Sequence, residues 1–255
     1  MSHDLQDDTS SFEGRAYLNE YFTEVNDEYR GLYRFWIDSI KKMAGAKEAL
    51  ELGVGPTLYT ALPLTAVCES IDLADYVLDC FKETNAWLNG DTQSFNWNIY
   101  TKLVLELEGS ANSAIDIKNR ENLVRLKIRD TFHCNIKEKN PIAPRSKTYD
   151  IVTAHYCTEA ASDSVSTWEG VIRNIWTLVR PGGWLLLSVS AGLKRFRQYA
   201  DQEPCTSSPQ IDKRSVLKCI ETLPGAGKAD WEYLPAPHDR PYEGTVLLAV
   251  QRSSL

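Results

Sequence analysis

The sequence predicts an α/β protein built on a doubly wound, mostly parallel sheet, and three observations carry that expectation. Short apolar runs of strand length alternate along the chain with amphipathic stretches of helix length. The first of these runs, Ala49-Leu50-Glu51-Leu52, ends in Gly53-Val54-Gly55, where a strand would hand over to a helix. The second, Ser70-Ile71-Asp72-Leu73-Ala74-Asp75, closes on an acidic residue. That acid follows the glycine turn by about 20 residues, the spacing at which nucleotide-binding sheets place a ribose-binding carboxylate.

Taken in order, Tyr17, Tyr21, Phe22, Tyr29, Tyr33, Phe35 and Trp36 recur at helical spacings and predict one or two helices between Tyr17 and Met43, packed by an aromatic stripe. After the first strand, a helix is expected from Thr57 to about Ala66. The second strand is followed by an amphipathic helix over Val77 to Leu88. Leu103 to Leu107 fits either strand or helix, Glu121 to Thr131 reads as helical, and Phe132 to Ile136 as a third strand. A loop over Pro141 to Lys147 leads into a fourth strand, Tyr149 to Ala154. A helix over Thr167 to Val179 is stopped by Arg180-Pro181-Gly182-Gly183, ahead of a fifth strand, Trp184 to Val189. Asp212 to Glu221 is a further helix and Thr245 to Gln251 a closing strand.

The bulk properties narrow the function. A chain of 255 residues, 43% hydrophobic and 25% charged, suits one large core. Met1 to Ser11 is polar and acidic, without the basic flank and apolar stretch of a secretory signal, so 1–12 reads as a flexible tail and 13–255 as one domain. No apolar run reaches membrane-spanning length. The formal net charge of −7, from 28 basic and 35 acidic side chains, argues against tracking nucleic-acid phosphates or an anionic membrane. A small, neutral or cationic partner is expected instead, with the protein a monomer. The six cysteines form no Cys-x-x-Cys pair, which suggests reduced thiols in a cytoplasmic protein. The four histidines lack metal-ligand spacing, so no metal is expected.

Gly-x-Gly alone is a weak signal; an ordinary strand-to-helix turn explains it equally well. Asp75, at the strand end facing the ligand crevice, strengthens it. A dinucleotide would favour a third glycine to admit its pyrophosphate, but Pro56-Thr57 stands there. Glu51, just before the glycines, suits a cationic ligand such as the amino group and sulfonium of S-adenosylmethionine. The Pro181-Gly182-Gly183 turn ahead of an apolar strand agrees.

Several features in the same order resemble the nicotinamide, phenylethanolamine and indolethylamine N-methyltransferases, a family of class I S-adenosylmethionine-dependent enzymes. They are Tyr17-Leu18-x-x-Tyr21-Phe22, Gly53-x-Gly55-Pro56-Thr57-x-Tyr59, Asp75-Tyr76, Phe95-x-Trp97, Leu107-Glu108-Gly109, Cys157-x-Glu159-Ala160-Ala161 and Arg180-Pro181-Gly182-Gly183. The resemblance runs from about Tyr17 to Arg252. It implies a Rossmann-like fold with a seven-stranded sheet and an N-terminal helical lid over 13–45.

The resemblance also implies roles. Tyr17 and Tyr21 would lie in the lid, Tyr17 contacting the cofactor carboxylate or the substrate. Gly53 and Gly55 would line the methionine moiety, with Thr57 and Tyr59 nearby. Asp75 would hold the ribose hydroxyls beside Tyr76. Asn135 and Ile136 would bracket the adenine, the amide of Asn135 near its exocyclic amine. His155 and Tyr156 would border the same pocket, packing being the simpler role for His155. Glu159 matches a glutamate that contacts the substrate amine in the phenylethanolamine enzyme, and would bind the acceptor amine and take up its proton; the competing reading is a solvated loop carboxylate. Ser190, and Ser207 or Ser208 in the loop after Cys205, could line the substrate pocket. The chain departs from the family at Cys80, where an asparagine usually helps hold the ribose. It also lacks an aspartate near Val189 and Ser190 that grips the amide in the nicotinamide enzyme. Nicotinamide is therefore not the expected acceptor. The implied activity is methyl transfer to a small-molecule amine, with an O- or S-methyltransferase acting on a small aromatic metabolite as the alternative and a non-catalytic cofactor-binding relative as the third reading.

Overall fold

The computed structural model describes residues 12–193, 209–237 and 240–254, together with the backbone of 195–196 and 206–207. Seven strands form the main sheet: β1 (Glu48–Leu52), β2 (Ser70–Asp75), β3 (Ile128–His133), β4 (Tyr149–His155), β5 (Val179–Ala191), β6 (Asp230–Pro235) and β7 (Gly244–Gln251). They lie in the order β3-β2-β1-β4-β5-β7-β6. The first five run parallel, whereas β7 is antiparallel to both β5 and β6. The short segments Arg195–Phe196 and Thr206–Ser207 pair separately.

Among the described residues, eight α-helices accompany the sheet: α1 (Gly14–Tyr21), α2 (Asp27–Ile40), α3 (Ala61–Leu64), α4 (Phe81–Leu88), α5 (Asn98–Leu107), α6 (Ala114–Lys127), α7 (Val165–Trp176) and α8 (Lys213–Glu221). Strand alternation divides the core into two layers. Ala49, Ile71, Ile151 and Leu247 join α2, α5 and the N-terminal aromatics on one face. Leu50, Leu52, Val152 and Leu187 pack with α7 and α8 on the other. Glu51 falls on the aromatic face, which is why a carboxylate ends up buried among tyrosines.

Most expected elements form within a few residues of their predicted bounds; the departures have local causes. The third strand starts at Ile128, not Phe132, and so takes Ile128 to Thr131 from the helix expected over Glu121 to Thr131, which instead runs from Ala114 to Lys127 and starts at the Ser113 capping box; Asn135 and Ile136 lie in the loop beyond the strand. This strand is an edge, with β2 as its neighbour, and its Ile-Arg-Asp-Thr-Phe-His sequence alternates in exposure instead of forming an apolar run. The ambiguous Leu103–Leu107 segment is the end of α5. The helix expected over Thr57–Ala66 shrinks to Ala61–Leu64, because Thr57 turns its hydroxyl back onto Val54 O at 2.7 Å and prolongs the glycine turn. The strand β6 was not expected: it is the other sheet edge, with Trp231 and Glu232 exposed and Tyr233 half-buried. The predicted tail, apart from Phe12, and Ser208 with most of the loop around it fall outside the described residues, as does the side chain of Ser207.

Candidate active site

The glycine turn, the end of β2 and the start of the connection after β4 meet at the carboxyl edge of the sheet. Gly53 (φ +64°) and Gly55 (φ +61°) both occupy the left-handed region, where an L side chain is strained. Gly53 has a second constraint: a Cβ there would stand 2.4 Å from Cys157 Cβ. Around Gly55, by contrast, a Cβ would meet nothing within 4 Å. The turn is therefore tight on its protein side at Gly53 and open at Gly55, as a cradle for a ligand must be.

Asp75 closes the turn. Its Oδ2 accepts the Gly55 N–H at 2.7 Å and its Oδ1 the Val77 N–H at 2.8 Å. Burial raises its pKa, and the N–H donors of Val77, Gly55 and Tyr76 oppose that rise. The carboxylate keeps lone pairs for the hydroxyls of a ribose. Tyr76 beside it is exposed, its ring 5.4 Å from that of His133. Cys80 is buried in the short 3-10 turn that follows, and burial near Asp75 holds its thiol protonated.

Glu51 is the least expected feature of this edge. It is 2% exposed. One of its oxygens accepts the Thr60 hydroxyl, while the other, Oε2, has no partner within the protein. Burial, with the Asp75 charge adding to it, pushes its pKa up to about 8. A buried carboxylate oxygen left without a donor costs roughly 1–3 kcal/mol or more, and an arriving ammonium would remove that cost.

The expected lid divides into two parts. The helix α1 rests on the turn: a Cβ on Gly14 would lie 3.2 Å from Pro56 Cβ, and Arg15 pairs with Glu83 of α4 at 2.6 Å. Tyr17 stacks on Tyr21 with centroids 5.0 Å apart, and burial raises its phenol pKa. The helix α2 belongs to the core. Its Trp36 Nε1 donates to Ser188 Oγ of β5 at 3.2 Å, and His155 Nδ1 shares that hydroxyl at 2.9 Å. His155 is thus a packing residue against Trp36, its pKa lowered by burial to about 3, so it stays neutral. Tyr59 is buried beside Phe22 and Trp36, and its carbonyl accepts the Tyr33 hydroxyl at 2.9 Å.

On the adenine side, Asn135 Oδ1 accepts the Lys137 N–H at 3.1 Å, so its carbonyl oxygen shapes the loop. Its neighbour Ile136 is buried. Cys134 N–H donates to Asp75 O at 2.9 Å and keeps this loop beside the end of β2.

On the acceptor side, Tyr156 is a non-glycine residue at φ +58°, an arrangement that persists only where its surroundings enforce it. Glu159 is not the solvated loop carboxylate of the competing reading. It is 2% exposed; its Oε1 accepts the Ser190 N–H at 2.7 Å and its Oε2 the Thr158 hydroxyl at 3.0 Å. Both oxygens are occupied in holding the connection after β4 to the end of β5. Sequence reasoning missed a cluster beside Tyr156: Thr245 of β7 meets the Tyr156 hydroxyl, Glu28 of α2 accepts from Thr245 and Tyr242, and Arg240 faces Glu28. No local motif marks them; only the fold brings positions 28 and 245 together.

A parallel sheet with one reversed strand beside β5, carrying a glycine turn opposite a strand-end acid, defines the class I methyltransferase fold. Solved structures agree: the N-methyltransferase NodS of Bradyrhizobium japonicum matches at TM-score 0.52 and 9% identity, covering 89% of this chain and 98% of that one. Magnesium protoporphyrin IX methyltransferase of Synechocystis matches at TM-score 0.52 and 13% identity, covering 94% and 92%. Within that class the chain belongs to the NNMT/PNMT/TEMT family, whose model matches residues 2–222. Human phenylethanolamine N-methyltransferase is 27% identical over 54% of this chain and 49% of its own, so the match spans about half of that relative. Human nicotinamide N-methyltransferase is 24% identical over 70% and 69%, and the rabbit (Oryctolagus cuniculus) indolethylamine enzyme 26% over 81% and 79%.

Proposed function

We propose that the protein is an S-adenosylmethionine-dependent methyltransferase acting on the nitrogen of a small-molecule amine. One juxtaposition carries the cofactor reading: a buried glutamate with an unpartnered oxygen, an open glycine and a strand-end aspartate share one turn. Glu51 would take the amino group of the methionine end, Gly53 and Gly55 its backbone, and Asp75 the ribose hydroxyls. Asn135 and Ile136 would flank the adenine, with Tyr17 and Tyr21 covering the assembly. Bound there, the cofactor supplies a methyl group on a sulfonium, open to in-line attack by a lone pair.

The protein's part is alignment and exclusion of water. The α1 helix covers the turn, while the aromatic layer of Phe22, Tyr29, Tyr59 and Tyr100 beneath it admits no solvent. Glu159 serves as a positioning residue that fixes Ser190, in place of the proton acceptor expected from the sequence; its two engaged oxygens support this. Incubation with methyl-labelled cofactor and a panel of small amines, phenols and thiols tests the proposal. Label is expected on amines; label confined to phenols or thiols would replace the nitrogen acceptor, and none on any class would remove the activity.

A further inference from the structure

Packing against Trp36 accounts for the place of the His155 ring but leaves the roles of its two nitrogens open. The neighbouring hydroxyl settles them. Ser188 is fully buried, and its Oγ has two partners, Trp36 Nε1 at 3.2 Å and His155 Nδ1 at 2.9 Å. An indole N–H only donates, so Trp36 fills one lone pair of the hydroxyl. The hydroxyl proton then needs an acceptor, and among the described residues Nδ1 is the one within reach. If His155 carried its proton on Nδ1, Ser188 would accept twice and its own O–H would be buried without a partner, a cost that the other arrangement avoids. The donations therefore run in one direction, from Trp36 to Ser188 to His155, and put the imidazole hydrogen on Nε2. Burial lowers the His155 pKa to about 3, so the ring stays neutral and Nδ1 stays an acceptor.

The strand register places that N–H. His155 pairs with Ser188 of β5, and Ala154 before it pairs with Leu52 of β1, so the position of β1 beside His155 is Gly53. Thr153, two residues earlier on the same face, pairs with Glu51. The two nitrogens of an imidazole point nearly opposite ways, so with Nδ1 turned to β5, Nε2 lies on the side of β1 and the glycine turn. It has no partner among the described residues, and it is not walled in as Glu51 Oε2 and Thr153 Oγ1 are. His155 is 9% exposed, against 1% for Thr153 and 2% for Glu51, so its ring opens onto space at the carboxyl edge. We propose that Trp36 and Ser188 are positioning residues that lock His155 as its Nε2–H tautomer, and that this N–H donates to the carboxylate at the methionine end of the cofactor. This rests on the cofactor reading of the proposed function, in which Glu51 takes the amino group and the carboxylate on the same carbon still needs a donor. Glu51 and His155 stand on adjoining strands of one face, as the two ends of that group require. An uncharged donor suits the place, because a cation there would oppose the sulfonium.

Long-range proton–nitrogen NMR of protein carrying isotope-labelled histidine reads the tautomer. The His155 signals are identified by their loss in His155→Gln, and in the wild type they are expected to show the proton on Nε2. Ser188→Ala and Trp36→Phe should each release the lock and give a mixture of tautomers. Affinities for S-adenosylhomocysteine and for 5′-methylthioadenosine, which lacks the amino-acid end, are measured beside the melting temperature. His155→Phe keeps a ring and removes the donor. It should weaken S-adenosylhomocysteine by roughly 10–100-fold, the range of a hydrogen bond to a charged group, and 5′-methylthioadenosine by less than about 3-fold. His155→Gln restores a side-chain N–H and should recover most of that loss. A wild-type proton on Nδ1 overturns the assignment, as does a pure Nε2–H signal in both Ser188→Ala and Trp36→Phe. A His155→Phe loss that is equal for the two ligands also overturns it, since that is the result of a ring that only packs. Unchanged S-adenosylhomocysteine affinity in His155→Phe removes the His155 contact and leaves the cofactor reading standing. A wild-type protein that binds neither ligand removes that reading and this inference with it.

Discussion

Alanine at Gly53 and at Gly55 should separate what the turn does for the fold from what it does for its ligand. Both residues have left-handed backbones, so each substitution costs about 1–2 kcal/mol from that source. At Gly53 the new methyl also falls 2.4 Å from Cys157 Cβ and 2.6 Å from its Sγ, well inside contact distance. Overpacking of this kind adds roughly 1–3 kcal/mol. The total for Gly53→Ala is then about 2–5 kcal/mol, or a melting temperature lower by roughly 4–20 °C in a domain of this size. Gly55→Ala meets open space and should lower the melting temperature by only about 2–8 °C. Its methyl instead enters the cradle, and S-adenosylhomocysteine should bind about 10–100-fold more weakly. Differential scanning calorimetry reads the first quantity and titration calorimetry the second. Cys157→Gly in the Gly53→Ala background should recover the steric part and leave the backbone part. Equal melting temperatures for the two single variants, or Gly55→Ala binding as wild type does, would refute the division of labour.

Three further outcomes follow from the buried carboxylates. Glu51 has its folded pKa raised to about 8, so its neutral form stabilises the ligand-free fold; that contribution is full below about pH 4.5 and is lost as pH rises to about 8. Glu51→Gln should flatten this slope in melting experiments, and should abolish a rise in S-adenosylmethionine affinity as pH increases through the same range; a wild-type affinity without pH dependence would contradict the ammonium contact. Glu159→Gln should keep the bond from Ser190 N–H and turn over within about 3-fold of wild type, whereas Glu159→Ala should lower stability by roughly 1–3 kcal/mol. A loss of 10²-fold or more in Glu159→Gln, the range of general acid–base catalysis, would restore it as the proton acceptor. Asp75→Asn places an amide N–H against a Gly55 or Val77 N–H donor, and titration calorimetry should show cofactor affinity lower by about 10–100-fold.

The sheet was legible where strands are buried on both faces. The runs at Ala49–Leu52, Ser70–Asp75 and Tyr149–Ala154 announce themselves because neighbours on either side leave no room for polar residues. The edges were not: β3 alternates and was read four residues late, and β6, with Trp231 and Glu232 turned outward, gave no signal. The glycine turn was legible for a similar reason, since φ and close approach dictate glycine within a few consecutive residues. Residues 28, 156, 242 and 245, by contrast, are brought together by the reversed strand β7 and not by any local pattern. The burial of Glu159 was not legible, because it depends on a backbone donor from a strand that starts 20 residues later.

The bond from Trp36 to Ser188 joins α2 to the centre of the sheet, and its consequence concerns how the enclosed space opens. Seven side chains of α2 are buried and only Leu18 of α1, so separating α2 from the sheet is equivalent to unfolding, while α1 can detach at the cost of a single buried leucine and a few stacked rings. In native-state hydrogen exchange, amides of α2 should exchange with the slowest class and those of α1 many times faster, with α1 slowing when S-adenosylhomocysteine is added. That pattern would make α1 the part that opens for a ligand, with α2 staying closed on the sheet.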